Sequence, residues 1–91
     1  MPTYLAEAFL AAAGPDTDRA GERAARTAAR AMTRGGTPIR FGGSIYVPED
    51  EICLFRFEAA TADDVERVVM EAGLRLLRVV EAIPSRKEAV S

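Results

Sequence analysis

With 91 residues the chain has room for one domain and a modest core, because a domain of this size buries only about 60 to 65% of the surface its unfolded chain exposes. Its 48% hydrophobic and 29% charged residues exclude disorder, and a formal net charge of −2 gives no basic footprint for nucleic acid. One cysteine and no histidine exclude an internal disulfide, a Cys-His or Ser-His nucleophile and the usual zinc-ligand sets.

The first residues lack a basic leader, and Glu7 interrupts the apolar run 4–10, so no secretory signal is read there. No stretch nears the roughly 18 continuous apolar residues of a membrane span. The expectation is a cytoplasmic protein with no membrane or nucleic-acid partner. Within 3–10, Thr3, Leu5, Glu7 and Phe9 alternate with Tyr4, Ala6, Ala8 and Leu10, which predicts a strand ended by Gly14-Pro15. Asp16, Thr17 and Asp18 then offer N-cap oxygens for a helix running to Arg34, where Gly35-Gly36 stops it. At 3.6 residues per turn, Ala20, Gly21, Ala24, Ala28, Ala31 and Met32 share a face small enough to lie close on a sheet. Arg19, Arg23, Arg26, Arg30 and Arg34 form a basic stripe on the opposite face, expected to be solvated, with docking of an anionic partner as the alternative.

The stretch 38–59 reads as a hairpin. Ile39, Phe41, Ile45 and Val47 alternate with Arg40, Gly42, Ser44 and Tyr46, and Cys53, Phe55 and Phe57 with Ile52, Leu54, Arg56 and Glu58. Pro48 presets the turn, which its acidic neighbours solvate. Gly42-Gly43 inside the strand reads as a bulge or as a point where a ligand approaches the backbone. Thr61 with Asp64 has capping-box spacing for a second helix with an apolar stripe of Val65, Val68, Val69 and Ala72, and Gly73 is its C-cap. Residues 76–83 are the last strand, stopped by Pro84. The resulting plan is one domain over 1–84 followed by a polar tail over 85–91.

A βαββαβ order predicts an α+β, ferredoxin-like sandwich with antiparallel sheet order 4-1-3-2 and both helices on one face. Strict alternation puts Tyr4, Ala6, Ala8, Leu10, Ile39, Phe41, Ile45, Val47, Cys53, Phe55, Phe57, Leu76, Val80 and Ala82 under the helices. It leaves Leu5, Glu7, Phe9, Arg40, Ser44, Tyr46, Ile52, Leu54, Arg56, Glu58, Leu77, Val79, Glu81 and Ile83 on the open face. That face is too apolar for a lone monomer, so a homodimer through it is expected. Glu7, Arg40, Tyr46, Arg56, Glu58 and Glu81 are the candidate ligand-binding residues, with Glu7 expected to meet Glu81 and Arg56 across neighbouring strands. Such a cluster could hold a small polar ligand, hold a divalent metal through carboxylates, or do acid/base work. An ion-pair network that satisfies charges trapped in the interface is the structural alternative.

The segments TYLAEAFL, RFGGSIYVPEDEICLFRFEA, TADDVERVVMEAGL and RVVEAI resemble a family of small, largely actinobacterial proteins of uncharacterised function related to a nickel-binding protein with a dimeric ferredoxin-like fold. YVPEDE, the C-x-x-x-FEA spacing after it, and AGL followed by R-V-x-EA carry the likeness most specifically. The resemblance implies the same fold and dimer, and binding of a divalent metal, nickel by family, or of a small ligand. No nickel ligands carry over, since the family's nickel chemistry is associated with histidine, this sequence has none, and nickel prefers imidazole or thiolate to carboxylates alone. The leading functional expectation is therefore a small dimeric binding or sensing module, without catalytic residues. The alternatives are a small cofactor-independent enzyme of isomerase or oxygenase type in the dimer cleft, and an interaction protein docking through the arginine stripe.

Overall fold

The alternating runs and the glycine stops resolve into β1 (Thr3–Phe9), α1 (Thr17–Arg34), β2 (Ile39–Val47), β3 (Ile52–Ala59), α2 (Ala62–Glu71) and β4 (Arg75–Ala82). The computed structural model describes residues 1–83, so Pro84 and the tail expected over 85–91 lie outside the described residues. The sheet is antiparallel throughout, in the order β2-β3-β1-β4, which is the expected 4-1-3-2 read from the other edge. With both helices on one face, this is the ferredoxin-like α+β fold.

Local chemistry ends each helix in the same way. Gly36 and Gly73 have φ of 103° and 77°, a region that favours glycine, and each is followed by a residue whose N–H reaches back to the last turn. Thr37 donates to the Met32 carbonyl at 2.9 Å and Leu74 to that of Val69 at 3.2 Å. At the start of α2 the Thr61 hydroxyl accepts from the Asp64 N–H at 3.2 Å. At α1 no side-chain cap forms on Asp16. The Thr17 hydroxyl instead ties the preceding loop, accepting from Ala13 N–H and donating to the Gly14 carbonyl.

The core lies between that helix pair and the sheet. Phe55 and Phe57 of β3 are fully buried over the small Ala6 and Ala8 of β1, with Val65, Val68 and Val69 of α2 above them. Helix α1 buries Gly21, Ala25, Ala28, Ala29 and Met32. Gly21 permits this approach, since a Cβ there would stand 3.2 Å from a Leu10 methyl and 3.4 Å from the Phe55 ring. Ala20 and Ala31, expected to pack, are exposed. An alanine-rich arc extends to both sides of Gly21 and Met32, and the sheet lies against the side carrying Ala25 and Ala29.

Two β-bulges move side chains from one face of the sheet to the other. In β2, Phe41 pairs with Phe57 and Ser44 with Phe55, so Gly42 and Gly43 together oppose Arg56. Gly43 takes the extra residue with φ of 114°. Beyond it the alternation is inverted: Ser44 and Tyr46 lie on the helix side, and Ile45 and Val47 on the open side, the reverse of strict alternation. In β4, Glu7 pairs with Arg78 but Ala8 with Leu76, leaving Leu77 as the extra residue. Hence Val79 and Glu81 share the face of Tyr4 and Ala6, while Arg78, Val80 and Ala82 take the open face, again correcting the expectation.

Candidate functional site

The open face is laid out in rows across the four strands. Arg40, Glu58, Thr3 and Ala82 form the first row, and Arg56, Leu5 and Val80 the second. Ile45, Leu54, Glu7 and Arg78 form the third, and Val47, Ile52, Phe9 and Arg75 the fourth. Directly opposed side chains on one face interact, so this register decides which charges meet.

Arg78 Nε donates to Glu7 Oε1 at 2.8 Å, a charge-assisted bond across β4 and β1. Glu7 is therefore opposed by Arg78 and Leu54, not by Glu81 and Arg56 as expected. Arg40 Nε and Glu58 Oε1 approach to 3.7 Å, too far for a hydrogen bond. The Arg75 guanidinium lies 5.9 Å from the centre of the Phe9 ring. Arg56 has no acidic partner within ion-pair distance among the described residues.

Arg56 instead borders a half-open trough of about 380 Å³ beside the Gly42-Gly43 bulge. Leu5, Ile45 and Leu54 supply apolar walls, and the segment from Gly42 to Ser44 forms an edge. The space depends on the glycine pair. A Cβ on Gly42 would meet Cγ and Cδ of Arg56 at 3.3 Å, so the missing side chain lets the arginine stem lie along the strand. Chemically, the trough offers one guanidinium fork against apolar walls, which suits a small molecule with an anionic group. Glu7, engaged by Arg78, serves as a hydrogen-bond acceptor.

Glu7, Arg40, Arg56 and Glu58 thus lie on the open face as expected. Tyr46 and Glu81 do not, because each follows a bulge that inverts its strand. The Tyr46 hydroxyl donates to the Leu10 carbonyl at 3.0 Å and closes the end of β1. Desolvation, with the Glu51 carboxylate next, pushes its phenol above the ordinary value. Glu51 holds the same loop: its carbonyl accepts from Leu10 N–H at 2.7 Å and its carboxylate from Ala12 N–H at 3.1 Å. Glu81 is exposed on the helix side of the edge strand β4. Sequence reasoning missed Arg78, and its signal was the adjacent pair Leu76-Leu77, which breaks alternation just before it.

The remaining candidates for chemistry are occupied structurally. Ser44 donates to Glu22 Oε2 of α1 at 3.0 Å. Cys53 is fully buried, and burial pushes its thiol up, against a smaller opposing effect of the Ser44 hydrogen bond. Among the described residues, no three His, Cys, Asp or Glu side chains gather as a metal site. Nor is any helix among them long and apolar enough to cross a membrane.

No protein-family model and no curated protein matches the chain. Among solved structures, SCO4226 from Streptomyces coelicolor A3(2) superposes with a TM-score of 0.72 and 16% identity, over 92% of this chain and 99% of that one. At that identity the likeness establishes the fold alone, shared with a Streptomyces protein over nearly the full length of both chains.

Proposed function

We propose that this chain is a small binding module that works as a homodimer, with two copies facing each other across their open sheets and a small anionic ligand held in the trough beside the Gly42-Gly43 bulge. The observation that carries the reading is Arg56, which borders an apolar-walled trough and has no ion-pair partner among the described residues. Dimerisation is supported by the apolar character of the same face. Ile45 is 66% exposed, and Phe9, Leu77 and Val80 are exposed on or beside it. Covering one such side chain contributes roughly 1.5 to 3 kcal/mol, so several together support association.

Nickel, implied by family resemblance, does not fit the donors of one chain. Glu7 is held by Arg78, Glu58 faces Arg40, Glu81 lies on the other face, and the single thiol is buried under the helices. A carboxylate-bearing organic molecule fits better than a metal ion. The lone free thiol accords with a reducing compartment such as the cytoplasm.

Native mass spectrometry of protein purified from its own cells, paired with metal analysis, tests this reading in one measurement. A dimer carrying a small organic mass is expected, and Arg56→Gln should lose that mass while remaining dimeric. A ligand-free monomer, or a dimer loaded with nickel, would overturn it.

A further inference from the structure

The rows of the open face sort its side chains by chemistry. From Arg56 in the second row, Leu54 and Ile52 follow on the same strand at intervals of two residues, on the same face. Ile45 opposes Leu54 and Val47 opposes Ile52 on the β2 side, and Phe9 opposes Ile52 on the β1 side. An apolar strip therefore runs down the β2 and β3 half of the face, with a guanidinium at its head. The ion pair of Arg78 with Glu7 and the Arg75 guanidinium lie toward β4.

The bulge makes this strip apolar. Strict alternation would place Ser44 and Tyr46 along it, and the extra residue at Gly43 replaces them with Ile45 and Val47, leaving Ile45 66% exposed. The charge on the face is unbalanced as well. Four arginines, Arg40, Arg56, Arg75 and Arg78, stand there against two glutamates, Glu7 and Glu58. Glu58 lies one row before Arg56 and Glu7 one row after it, and each faces another arginine. Pairing of two copies across their open faces accounts for the apolar strip. It does not account for Arg56, because a second sheet would take water from an arginine with no ion-pair partner among the described residues, and the same face of the partner brings an equal excess of cations.

We infer that the ligand is an unbranched alkyl carboxylate of medium length, an inference that rests on the anion site proposed above and names its chemical class. The carboxylate meets the Arg56 fork, and the chain lies over Leu54 and Ile52 between the facing sheets. A guanidinium takes a carboxylate with two parallel hydrogen bonds, which fixes the head and supplies the missing negative charge. Chain length follows from the register. From Arg56 to Ile52 the strand advances about 13 Å, at about 3.3 Å per residue. A zigzag of carbon-carbon bonds of about 1.52 Å at about 111° advances about 1.25 Å per carbon, so about ten carbons cover the strip. A longer chain runs past the fourth row, where the pairing of β2 with β3 ends.

The test is calorimetric titration of the full chain with hexanoate, octanoate, decanoate, dodecanoate and tetradecanoate, each below its micelle concentration. Affinity is expected to rise about fivefold or more for each two carbons up to decanoate, and to level off between dodecanoate and tetradecanoate. Arg56→Gln should weaken decanoate at least about tenfold while remaining dimeric, and decyltrimethylammonium should bind the parent at least about tenfold more weakly than decanoate does. Met70→Ser, at an exposed apolar position on α2, should stay within about twofold of the parent. Binding that needs Arg56 but ignores chain length would overturn the inference and leave the anion site standing. Decanoate binding that survives Arg56→Gln would overturn both. No saturable heat at millimolar decanoate from an intact dimer would mean that the second copy fills the strip, and would overturn the inference, while the organic mass retained by the native protein decides the anion site separately.

Discussion

The Ser44 hydroxyl donates to the Glu22 carboxylate at 3.0 Å, linking β2 to α1, and it reaches that side of the sheet only because Gly42 and Gly43 together oppose Arg56. The same inversion aims Tyr46 at Leu10 and leaves Ile45 on the open face. A single backbone irregularity therefore places the trough, one helix contact and part of the apolar face at once.

Gly43→Ala is expected to destabilise the domain by about 1 to 3 kcal/mol, because φ of 114° is a conformation that an L side chain adopts only under strain. Gly14→Ala, with open space around its Cβ and no positive φ, should stay within about 0.5 kcal/mol of the parent. Urea midpoints of the two variants measured side by side check the contrast.

A double-mutant cycle of Glu7→Gln with Arg78→Gln reads the bond across β1 and β4. In dilute protein the coupling is expected at about 0.2 to 1 kcal/mol, since the Arg78 side chain is 69% exposed and solvent screens the pair. It should grow with protein concentration if the open faces pair, because a desolvated pair is costlier to break from one side. A coupling independent of concentration up to the millimolar range would count against the sheet-to-sheet dimer.

Stability should fall in alkali. Burial raises the Cys53 thiol above its ordinary 9.0, so the folded state holds that proton more tightly than the unfolded state does. The contribution is complete below the unfolded value and is lost as pH rises through the folded one. Tyr46, raised above 10.0, acts in the same direction at higher pH. Urea midpoints at pH 8, 9 and 10 are expected to decline, with a shallower decline between pH 9 and 10 in Cys53→Val. The native thiol should also react slowly with an aromatic disulfide reagent, and rapidly once urea exposes it.

Phe55→Ala removes the ring on which Gly21 and Phe41 converge and should cost about 3 to 5 kcal/mol. For a domain this small that is a large part of the total stability, so circular dichroism at 37 °C is expected to show a substantially unfolded population.

Much of the fold was legible in local chemistry. Gly36 and Gly73 mark helix ends because few other residues reach a positive φ cheaply, Thr61 marks a helix start, and alternation in β1 and β3 separates Tyr4, Ala6, Ala8, Cys53, Phe55 and Phe57 from their open-face neighbours. The candidate site was legible in part, with Glu7, Arg40, Arg56 and Glu58 on the face expected of them. Tyr46, Glu81 and Arg78 were not, because a period of two holds only until a bulge, and whether Gly42-Gly43 or Leu76-Leu77 absorbs an extra residue depends on the partner strand. The arginine spacing was likewise plain along α1, whereas the division of that stripe between a groove against β2 and one toward α2 arises from how the helix packs. The order of elements and the identity of most of the core follow from interactions between near neighbours in the chain, and so were readable from the residues alone. Which charges meet emerges with the folded sheet, because pairing across strands couples residues as far apart as Glu7 and Arg78, and one inserted residue inverts everything after it.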